Sequence, residues 1–571
     1  MTLTNNTPKK RWVLAPPIPN EVKQTLSDYP PFLRQLLFNR GITTAEAAKA
    51  YLSSDSPTPT DPFLLLGMRE AVSVIEAALQ ANENITVYGD YDTDGVTSSS
   101  LLFEFFSELG HEPRVYIPNR FEEGYGLNLD AIELLAAEGT QLLITVDCGI
   151  RSLREVQRAK ELGMRVIVTD HHQPGDDLPQ ADAVINPHQP ADPYPYKELA
   201  GVGLAYKLAE AWLRIHPNPD VDLDQWLDLV AIGTVVDVAP LTGENRSLVK
   251  RGLALMRQPH RQGLFSLTQV ASINPAKINA GNLGFAVGPR LNAAGRLENA
   301  LDSFRLLTSK DVFEAGWLAQ QLESLNTSRK EITSQIIEST TQIIAAQEED
   351  VPVLFSASAD FNAGVVGLAA GRLTEAYNKP AIIGSIEGDL IKASCRSISG
   401  FDINQALNQC ADLLERHGGH PMAAGLTVRT ENAQALHDRL IAIARDAFRG
   451  VDLTPVLDID YEISLDKLQP DHFPGIFEAV EQLEPTGESN ASALFCSRNC
   501  RVIRRNAVGK GEHLKLVLGA GKNQFEAIAF RQGALIDSLP EQVDIAFTFE
   551  INEFNGRSTI QLNLRDIRPA G

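Results

Sequence analysis

At 571 residues, with 43% hydrophobic and 22% charged side chains, the chain is too long for one hydrophobic core and reads as a soluble globular protein of three or four domains. It has no apolar run of about 18 residues that would span a membrane, and its first residues, MTLTNNTPKKRW, lack the apolar core of a secretory signal. A formal net charge of −22 speaks against non-specific coating of nucleic acid, yet leaves open an enzyme acting on nucleic acid, because local basic surface and bound metals decide that.

Residues 1–75 read as a helical N-terminal extension broken by the prolines of PPIP (16–19) and PTPTDP (57–62). From residue 76 the pattern turns βα-like. Strands are predicted at 85–89 (ITVYG), 114–118 (RVYIP), 142–146 (LLITV) and 165–169 (RVIVT), with amphipathic helices near 96–109, 129–138 and 152–162. This alternation predicts an α/β unit over 76–308 with a parallel sheet and right-handed crossovers. Over 309–349, Leu318, Leu322, Leu325, Ile332, Ile336 and Ile343 keep helical spacing, which predicts one long helix or two nearly continuous ones. Such a helix serves equally as a spacer between lobes or as a core helix of one domain. A second α/β unit, 350–450, has strands near 352–356 and 381–384 and then a helix-rich end. Over 455–571 the stretches LKLVLG, FEAIAF, DIAFTFEINEF and STIQLNLRDI, broken by GAGKN and NGR, predict a small β-barrel or sandwich.

The chemistry gathers at strand ends. ITVYG runs straight into GDYDTDG, which places Asp90, Asp92 and Asp94 at alternate positions. LLITV runs into Asp147, RVIVT into Asp170-His171-His172, and the apolar stretch LVAIGTVV into Asp237. Any one of these aspartates alone reads as a helix cap or turn residue. Four such sites, each delivered to the carboxyl edge where open α/β sheets bind ligands, point to a shared site. Carboxylates with imidazoles suit Mn²⁺ or Mg²⁺, and the lack of any CxxC among the five cysteines argues against structural zinc and fits a reducing cytoplasm. Two ions about 3.5–4 Å apart, sharing a bridging carboxylate, would activate water for attack on phosphorus and offset the repulsion between the crowded aspartates.

GDYDTDG, VDCG, TDHH and GTVVDVAPL resemble the four signatures of the DHH phosphoesterase superfamily, and in detail those of its bacterial single-strand-specific exonucleases. IPNRFEEGYGL (117–127), LAGVGLAYKL (199–208), GPRLNAAGRL (288–297), LESLNTSRK (322–330) and GGHPMAAGL (418–426) continue the resemblance in order, over roughly residues 75–570. It implies a DHH domain joined by the long helix to a DHH-associated domain, followed by a C-terminal OB-fold. Carried over position by position, it implies metal ligation by Asp92, Asp94, Asp147, His171 and Asp237, with Asp147 bridging two ions. Asp90 and His172 would support the ligands or touch the scissile phosphate, and Asp170 would orient a histidine ring.

On the substrate side, Arg120, Arg290, Asn292 and Arg296 are candidates for phosphate contact in the first lobe, although each arginine also reads as a surface residue in a turn. In the second lobe the resemblance assigns Arg396, Ser397 and His420 to the 5′ end or an adjacent phosphate, with Gly418 and Gly419 offering backbone amides as an anion nest. The pattern is broken in two places: Phe361-Asn362 stands where the family has Trp-His, and Cys395 where it has glycine. Between 494 and 522, seven basic residues (Arg498, Arg501, Arg504, Arg505, Lys510, Lys515, Lys522) face one acid, Glu512, as in a groove that tracks a single strand. Phe495, Phe525 and Phe530 are stacking candidates there, each also a candidate for the core.

The resemblance therefore implies a processive, Mn²⁺- or Mg²⁺-dependent exonuclease that degrades single-stranded DNA 5′→3′ to mononucleotides in repair and recombination. It implies a cytoplasmic monomer working with single-strand-binding protein and a helicase, without a membrane. The alternatives are a DHH phosphodiesterase for short oligonucleotides or cyclic dinucleotides, and a non-catalytic DNA-binding replication scaffold. A basic β domain of this size discriminates against the former, and retention of all five expected ligands against the latter.

Overall fold

In strands β1 (Ile85–Gly89), β2 (Arg114–Tyr116), β3 (Leu142–Val146), β4 (Arg165–Thr169) and β5 (Ala183–Ile185), the central β1 and β3 are buried at every position. Near-continuous Val, Ile and Leu is what a parallel strand covered on both faces requires. The five strands form one parallel sheet in the order β2-β1-β3-β4-β5. The chain leaves β1 in one direction to make β2, then crosses over to β3 on the other side. The carboxyl ends of β1 and β3 therefore border the crevice at a topological switch point.

A computed structural model describes residues 10–53, 60–120, 123–124, 126–258, 260–345, 351–469, 472–509, 511–554 and 557–571. Phe121, Glu122 and Tyr125 of the NRFEEGYG stretch, and Lys510 of the basic cluster, lie outside them. The chain divides into two units, one of residues 45–329 with 483–491, the other of 1–44, 330–482 and 492–571.

In the first unit, helices α1 (Thr93–Glu108), α2 (Gly201–Ile215) and α3 (Leu227–Val236) contribute to a core that includes Phe105, Phe106, Trp212, Trp226 and Ile232. Helix α4 (Gly288–Leu297) follows a π-helical turn, Leu283–Val287. Helix α5 (Val312–Ala345) runs unbroken for 34 residues. Its Ala315, Leu318, Ala319 and Leu322 join the first core, while residues from 330 onward belong to the other unit. It is a core helix at one end and a connection at the other.

The second unit holds a five-stranded mixed sheet. Its strands are β6 (Leu354–Ser358), β7 (Ala381–Glu387), β8 (Leu390–Arg396), β9 (Leu414–His420) and β10 (Ala423–Arg429), in the order β9-β10-β8-β7-β6, and only β6–β7 are parallel. The expected helix-rich end is thus corrected: three strands, β8 to β10, precede its final helix, Ala433–Ala447. The glycines and proline of HGGHPMAAG disguise the β9–β10 hairpin, whose pairing comes from register rather than strand propensity. Cys395 is fully buried in β8 and Phe361 is buried too, so both departures from the family pattern meet the interior.

The C-terminal strands β11 (Phe495–Val508), β12 (His513–Ala520), β13 (Asn523–Ala529), β14 (Gln542–Phe554) and β15 (Arg557–Pro569) close on themselves in the order β11-β12-β13-β15-β14-β11, the OB-type barrel. Closure removes the sheet edges. The N-terminal residues are not purely helical. Arg11–Leu14 form a strand parallel to Val456–Ile459, and the Phe32 ring lies 5.6 Å from those of Tyr461 and Phe495.

Candidate metal centre

The loop after β1 is shaped by its own aspartates. Asp92 caps α1, accepting from the amides of Asp94 (2.9 Å) and Gly95 (3.2 Å). Such a cap satisfies orphan donors and sets a carboxylate against the positive helix end. Asp94 is fully buried and accepts from Gly201 N (2.6 Å) and Val202 N (2.9 Å), the first amides of α2. Gly201 permits this approach: a Cβ there would stand 2.8 Å from Asp147 Cβ and 3.0 Å from Asp94 Oδ2. Asp147 follows β3 in the left-handed region, φ 59, a strained choice for a non-glycine residue and one that clusters at functional sites. Asp237 caps the C-terminus of α3, where only a folded helix, not a strand, brings it to the sheet edge.

These groups converge. His171 Nε2 lies 3.1 Å from Asp147 Oδ1, 3.6 Å from Asp237 Oδ2 and 3.8 Å from Asp94 Oδ2. Three donor sets, Asp147-His171-His172, Asp94-His171-Asp237 and Asp90-Asp92-Asp147, each bring their ligand atoms within 4.8 Å of one another. Asp147 belongs to two of the sets. Asp90 Oδ1, Asp147 Oδ1 and His171 Nε2 are buried without a hydrogen-bond partner among the described residues. Unsatisfied buried polar atoms are costly and call for an explanation. A hard divalent cation supplies one, since carboxylates and a neutral imidazole are its ligands.

Electrostatics agree. Burial, then the charges of Asp94, Asp92 and Asp90, pushes the Asp237 carboxyl up to about 9, and burial with the Asp92 charge pushes Asp94 up to about 7. Asp90 and Asp147 are raised for the same two reasons. Burial, assisted by His172, lowers His171 to about 4, so its imidazole is neutral and its lone pair available. A cluster that resists becoming anionic without a cation is a cation site in its chemistry.

Asp170 stands behind His172, not His171. Its Oδ1 accepts from the His172 amide (3.0 Å) and lies 2.7 Å from His172 Nδ1, while Oδ2 accepts from Ile150 N (2.9 Å). Burial opposes protonation of His172, but the bond to Asp170 prevails and raises its pKa.

The arginines separate into two groups. Arg290 is buried, paired with Glu323 of α5, and donates to Ala286 O of the π-helical turn (2.8 Å), so it is tied within the fold. Asn292 accepts from Thr93 N (2.9 Å) and Thr93 Oγ1 (3.0 Å), which pins α4 to the start of α1. Arg120 lies over the Tyr91 ring at 5.1 Å. Burial and the charges of Arg120 and Arg329 hold Arg296 down to about 10, whereas Asp92 and Tyr91 favour its charge. Arg296 thus lies within electrostatic reach of Asp92, Arg120 and Arg329. Arg329 and Tyr91 escaped the sequence reading, although both lie in stretches with glycine- or asparagine-marked patterns, GDYDTDG and LNTSRK.

In the second unit, Arg396 donates to Cys395 O (2.8 Å), and Ser397 is buried, donating to Phe401 O (2.6 Å). His420 is exposed at the end of β9. Gly418 and Gly419 pair with Gly425 and Ala424 in that strand, where successive amides point to opposite sides, so the expected nest is corrected to an extended edge. Only glycine fits at 419, φ 151, because a Cβ would collide with Ala423 O. In the barrel, Phe495 and Phe525 are buried in the interior and Phe530 is 50% exposed. Arg501, Arg504 and Arg505 line the exposed part of β11.

Comparison with known proteins agrees along the whole chain. Residues 84–234 match the DHH family, N-terminal domain, residues 350–446 the DHHA1 domain, and residues 459–566 the RecJ OB domain. The chain is 36% identical over 565 residues to the single-stranded-DNA-specific exonuclease RecJ of Bacillus subtilis, covering 98% of this chain and 71% of that protein. It is 34% identical over 575 residues to RecJ of Escherichia coli, covering 96% and 98%. The crystal structure of RecJ in complex with Mn²⁺ from Thermus thermophilus superposes with a TM-score of 0.82 at 30% identity, over 98% of this chain and 80% of that one. With this extent of likeness, from the β1 aspartates to the closing barrel, the chain belongs to the RecJ family of the DHH phosphoesterases.

Proposed function

We propose that this protein is a metal-dependent exonuclease that hydrolyses single-stranded DNA 5′→3′ to mononucleotides, with Mn²⁺ or Mg²⁺ as cofactor. The observation that carries the proposal is the meeting of Asp90 Oδ1, Asp147 Oδ1 and His171 Nε2, buried and without hydrogen-bond partners among the described residues, at the carboxyl edge of the parallel sheet. Asp92, Asp94, Asp147, His171 and Asp237 would hold a pair of ions, with Asp147 shared. When bound, such ions make water nucleophilic near neutral pH and screen charge developing on phosphorus.

The chain's own groups do the rest. Asp170 fixes the His172 ring through Nδ1, which leaves Nε2 to donate to a phosphate oxygen. Its raised pKa favours the doubly protonated ring, which carries that proton. Arg120 and Arg296 neutralise the backbone phosphate beside Asp92, with Tyr91 packed under Arg120. Single-strand recognition belongs to β11, whose exposed arginines track phosphates, with Phe530 as the accessible aromatic. That basic strand favours long DNA over the short oligonucleotides or cyclic dinucleotides of other DHH enzymes, and a full ligand set argues against a scaffold without catalysis.

A cytoplasmic monomer acting in repair and recombination, with single-strand-binding protein and a helicase as partners, completes the reading. All five cysteines are free, as a reducing compartment requires, and no described helix is long and apolar enough to cross a membrane. The test is incubation of end-labelled single-stranded and duplex DNA with manganese while product lengths are followed. Mononucleotides released from unblocked 5′ ends of single strands are expected. Undiminished degradation of 5′-blocked strands would refute the polarity.

A further inference from the structure

We propose that residues 483–491, LEPTGESNA, form a strap that positions Asp237: Gly487 and the Glu488 carbonyl hold the loop that follows this carboxylate, and Arg246 and Asn490 lock the strap. The inference rests on the metal-dependent exonuclease reading and adds to its metal centre a support from a distant stretch of the sequence.

Asp237 shares a donor set with Asp94 and His171, and it stands at a turn that does not hold itself. It ends α3, and the next residue, Val238, has φ 63. The left-handed region is an outlier for a β-branched side chain and persists only where the surrounding structure enforces it. Val238 does not enforce it by packing, since it is 62% exposed. The anchor comes three residues later. Leu241 is buried, its amide donates to Glu488 O (2.9 Å), and a Cβ on Gly487 would stand 2.8 Å from Leu241 Cδ1. Asn245 and Tyr196 brace the same loop: Asn245 donates to Pro240 O (3.1 Å), and the Tyr196 hydroxyl lies 3.1 Å from Pro240 O and 3.0 Å from Thr242 O. The loop is thus held at its carbonyls by these two side chains and at the Leu241 amide by the strap.

The strap is itself fixed. Residues 483–491 fold with 45–329, although the chain before and after them belongs to the other unit. Gly487 and Asn490 exchange backbone hydrogen bonds (2.9 and 3.2 Å), which closes a tight turn. The buried Asn490 side chain donates to Leu483 O (3.0 Å) and Pro485 O (2.7 Å) and accepts from the Tyr51 hydroxyl (2.8 Å). Arg246 donates to the carbonyls of Leu483, Glu484 and Pro485. It belongs to the helix Gly243–Met256, which begins directly after the loop, so loop and strap are referred to one rigid element. A functional carboxylate must be held to within about 0.5 Å, so a push at Gly487 is felt at Asp237.

The experiment compares the full chain with Gly487→Ala, Gly487→Ala combined with Leu241→Val, and Asp237→Asn. Mn²⁺ affinity is measured by calorimetry. Hydrogen–deuterium exchange over residues 238–242 and thermal unfolding are recorded on the metal-free proteins, and hydrolysis of oligothymidylate is followed at limiting and saturating Mn²⁺. Gly487→Ala is expected to speed exchange of the Leu241 amide and to weaken Mn²⁺ binding about tenfold, with the metal-free melting temperature unchanged. Its hydrolysis is expected to fall at limiting Mn²⁺ and to recover at saturation. Leu241→Val, which lacks the Cδ1 methyl, is expected to restore Mn²⁺ affinity in the double variant. Unchanged exchange or unchanged Mn²⁺ affinity in Gly487→Ala overturns the proposal, as does a loss that Leu241→Val does not repair. Undiminished affinity in Asp237→Asn overturns the ligand assignment and the strap's role with it. Absence of hydrolysis by the unaltered chain, with the Mn²⁺ affinities ordered as expected, would count against the exonuclease reading and support the strap.

Discussion

Nε2 of His171 lies 3.1 Å from Oδ1 of Asp147, yet neither atom has a hydrogen-bond partner among the described residues. Two groups so placed without a shared proton are arranged for a third body, and a divalent cation fits it. Asp147→Ala is expected to abolish hydrolysis, a fall of roughly 10⁴-fold or more in kcat, while strand binding by the barrel persists. Gel-resolved product lengths and fluorescence anisotropy on the same preparation check both halves, and residual turnover above a hundredth of wild type would contradict the bridging assignment.

Metal binding should stabilise the fold in a pH-dependent way. Burial and neighbouring carboxylates raise Asp94 from 3.8 to about 7 and Asp237 from 3.8 to about 9. With raised carboxyl pKa values the folded state keeps protons the unfolded chain has lost, so these groups favour the fold at low pH. Their contribution falls away as pH rises from 3.8 through about 7 and about 9. A bound cation takes the deprotonated carboxylates and cancels that loss. Manganese is therefore expected to raise the melting temperature more at pH 8 than at pH 5, and to release protons on binding, measurable by scanning calorimetry and titration in buffers of different ionisation enthalpy. An equal shift at both pH values would count against ligation by these carboxylates.

Asp170 acts on His172, so Asp170→Asn should cost about 10- to 100-fold in kcat with saturating metal. It should also lower the pH at which the histidine loses its proton, moving the alkaline limb of the kcat profile downward. In a double-mutant cycle, Asp170→Asn added to His172→Ala is expected to cost little more, and additive losses would place Asp170 in another role.

The basic strand of the barrel is best tested by charge reversal. Cutting the chain before residue 455 would also strip partners from Trp12, which donates to Asp566 (2.6 Å), and from Phe32 and Asn39, so truncation confounds binding with unfolding. Arg501→Glu with Arg504→Glu leaves those interactions alone. It is expected to weaken binding of long strands and to flatten the log–log salt dependence by about 0.7 for each phosphate no longer neutralised. Anisotropy titrations between low and moderate salt measure this, and an unchanged slope would remove β11 from the binding path.

Arg246 is buried and donates to the carbonyls of Tyr51, Leu483, Glu484 and Pro485 at 2.9–3.0 Å, with its guanidinium 3.8 Å over the Tyr51 ring. Arg246→Ala removes the guanidinium donors from Tyr51 O and Glu484 O, while Leu483 O and Pro485 O keep the Asn490 amide, so a loss of about 3 kcal/mol is expected. Urea unfolding of both proteins would register it as a lower midpoint, and an unaltered midpoint would show that the clamp carries no stability.

Much of this was legible in the linear chain. Unbroken apolar strands ending in aspartate can be read without tertiary information, because a buried parallel strand must be apolar throughout and its carboxyl end must carry the polar groups. The helix over 312–345 is likewise written in its spacing. The β9–β10 hairpin was hidden, since glycine and proline mask strands whose pairing is decided by neighbours in the sheet. Folding alone decided which polar groups find partners: Ser397 and Arg290 became tied to Phe401 and Glu323, whereas Asp147 Oδ1 and His171 Nε2 are left without hydrogen-bond partners among the described residues. Sequence specifies which groups can bind a cation or a phosphate; three-dimensional packing determines which are desolvated and unsatisfied, and that is where binding free energy resides.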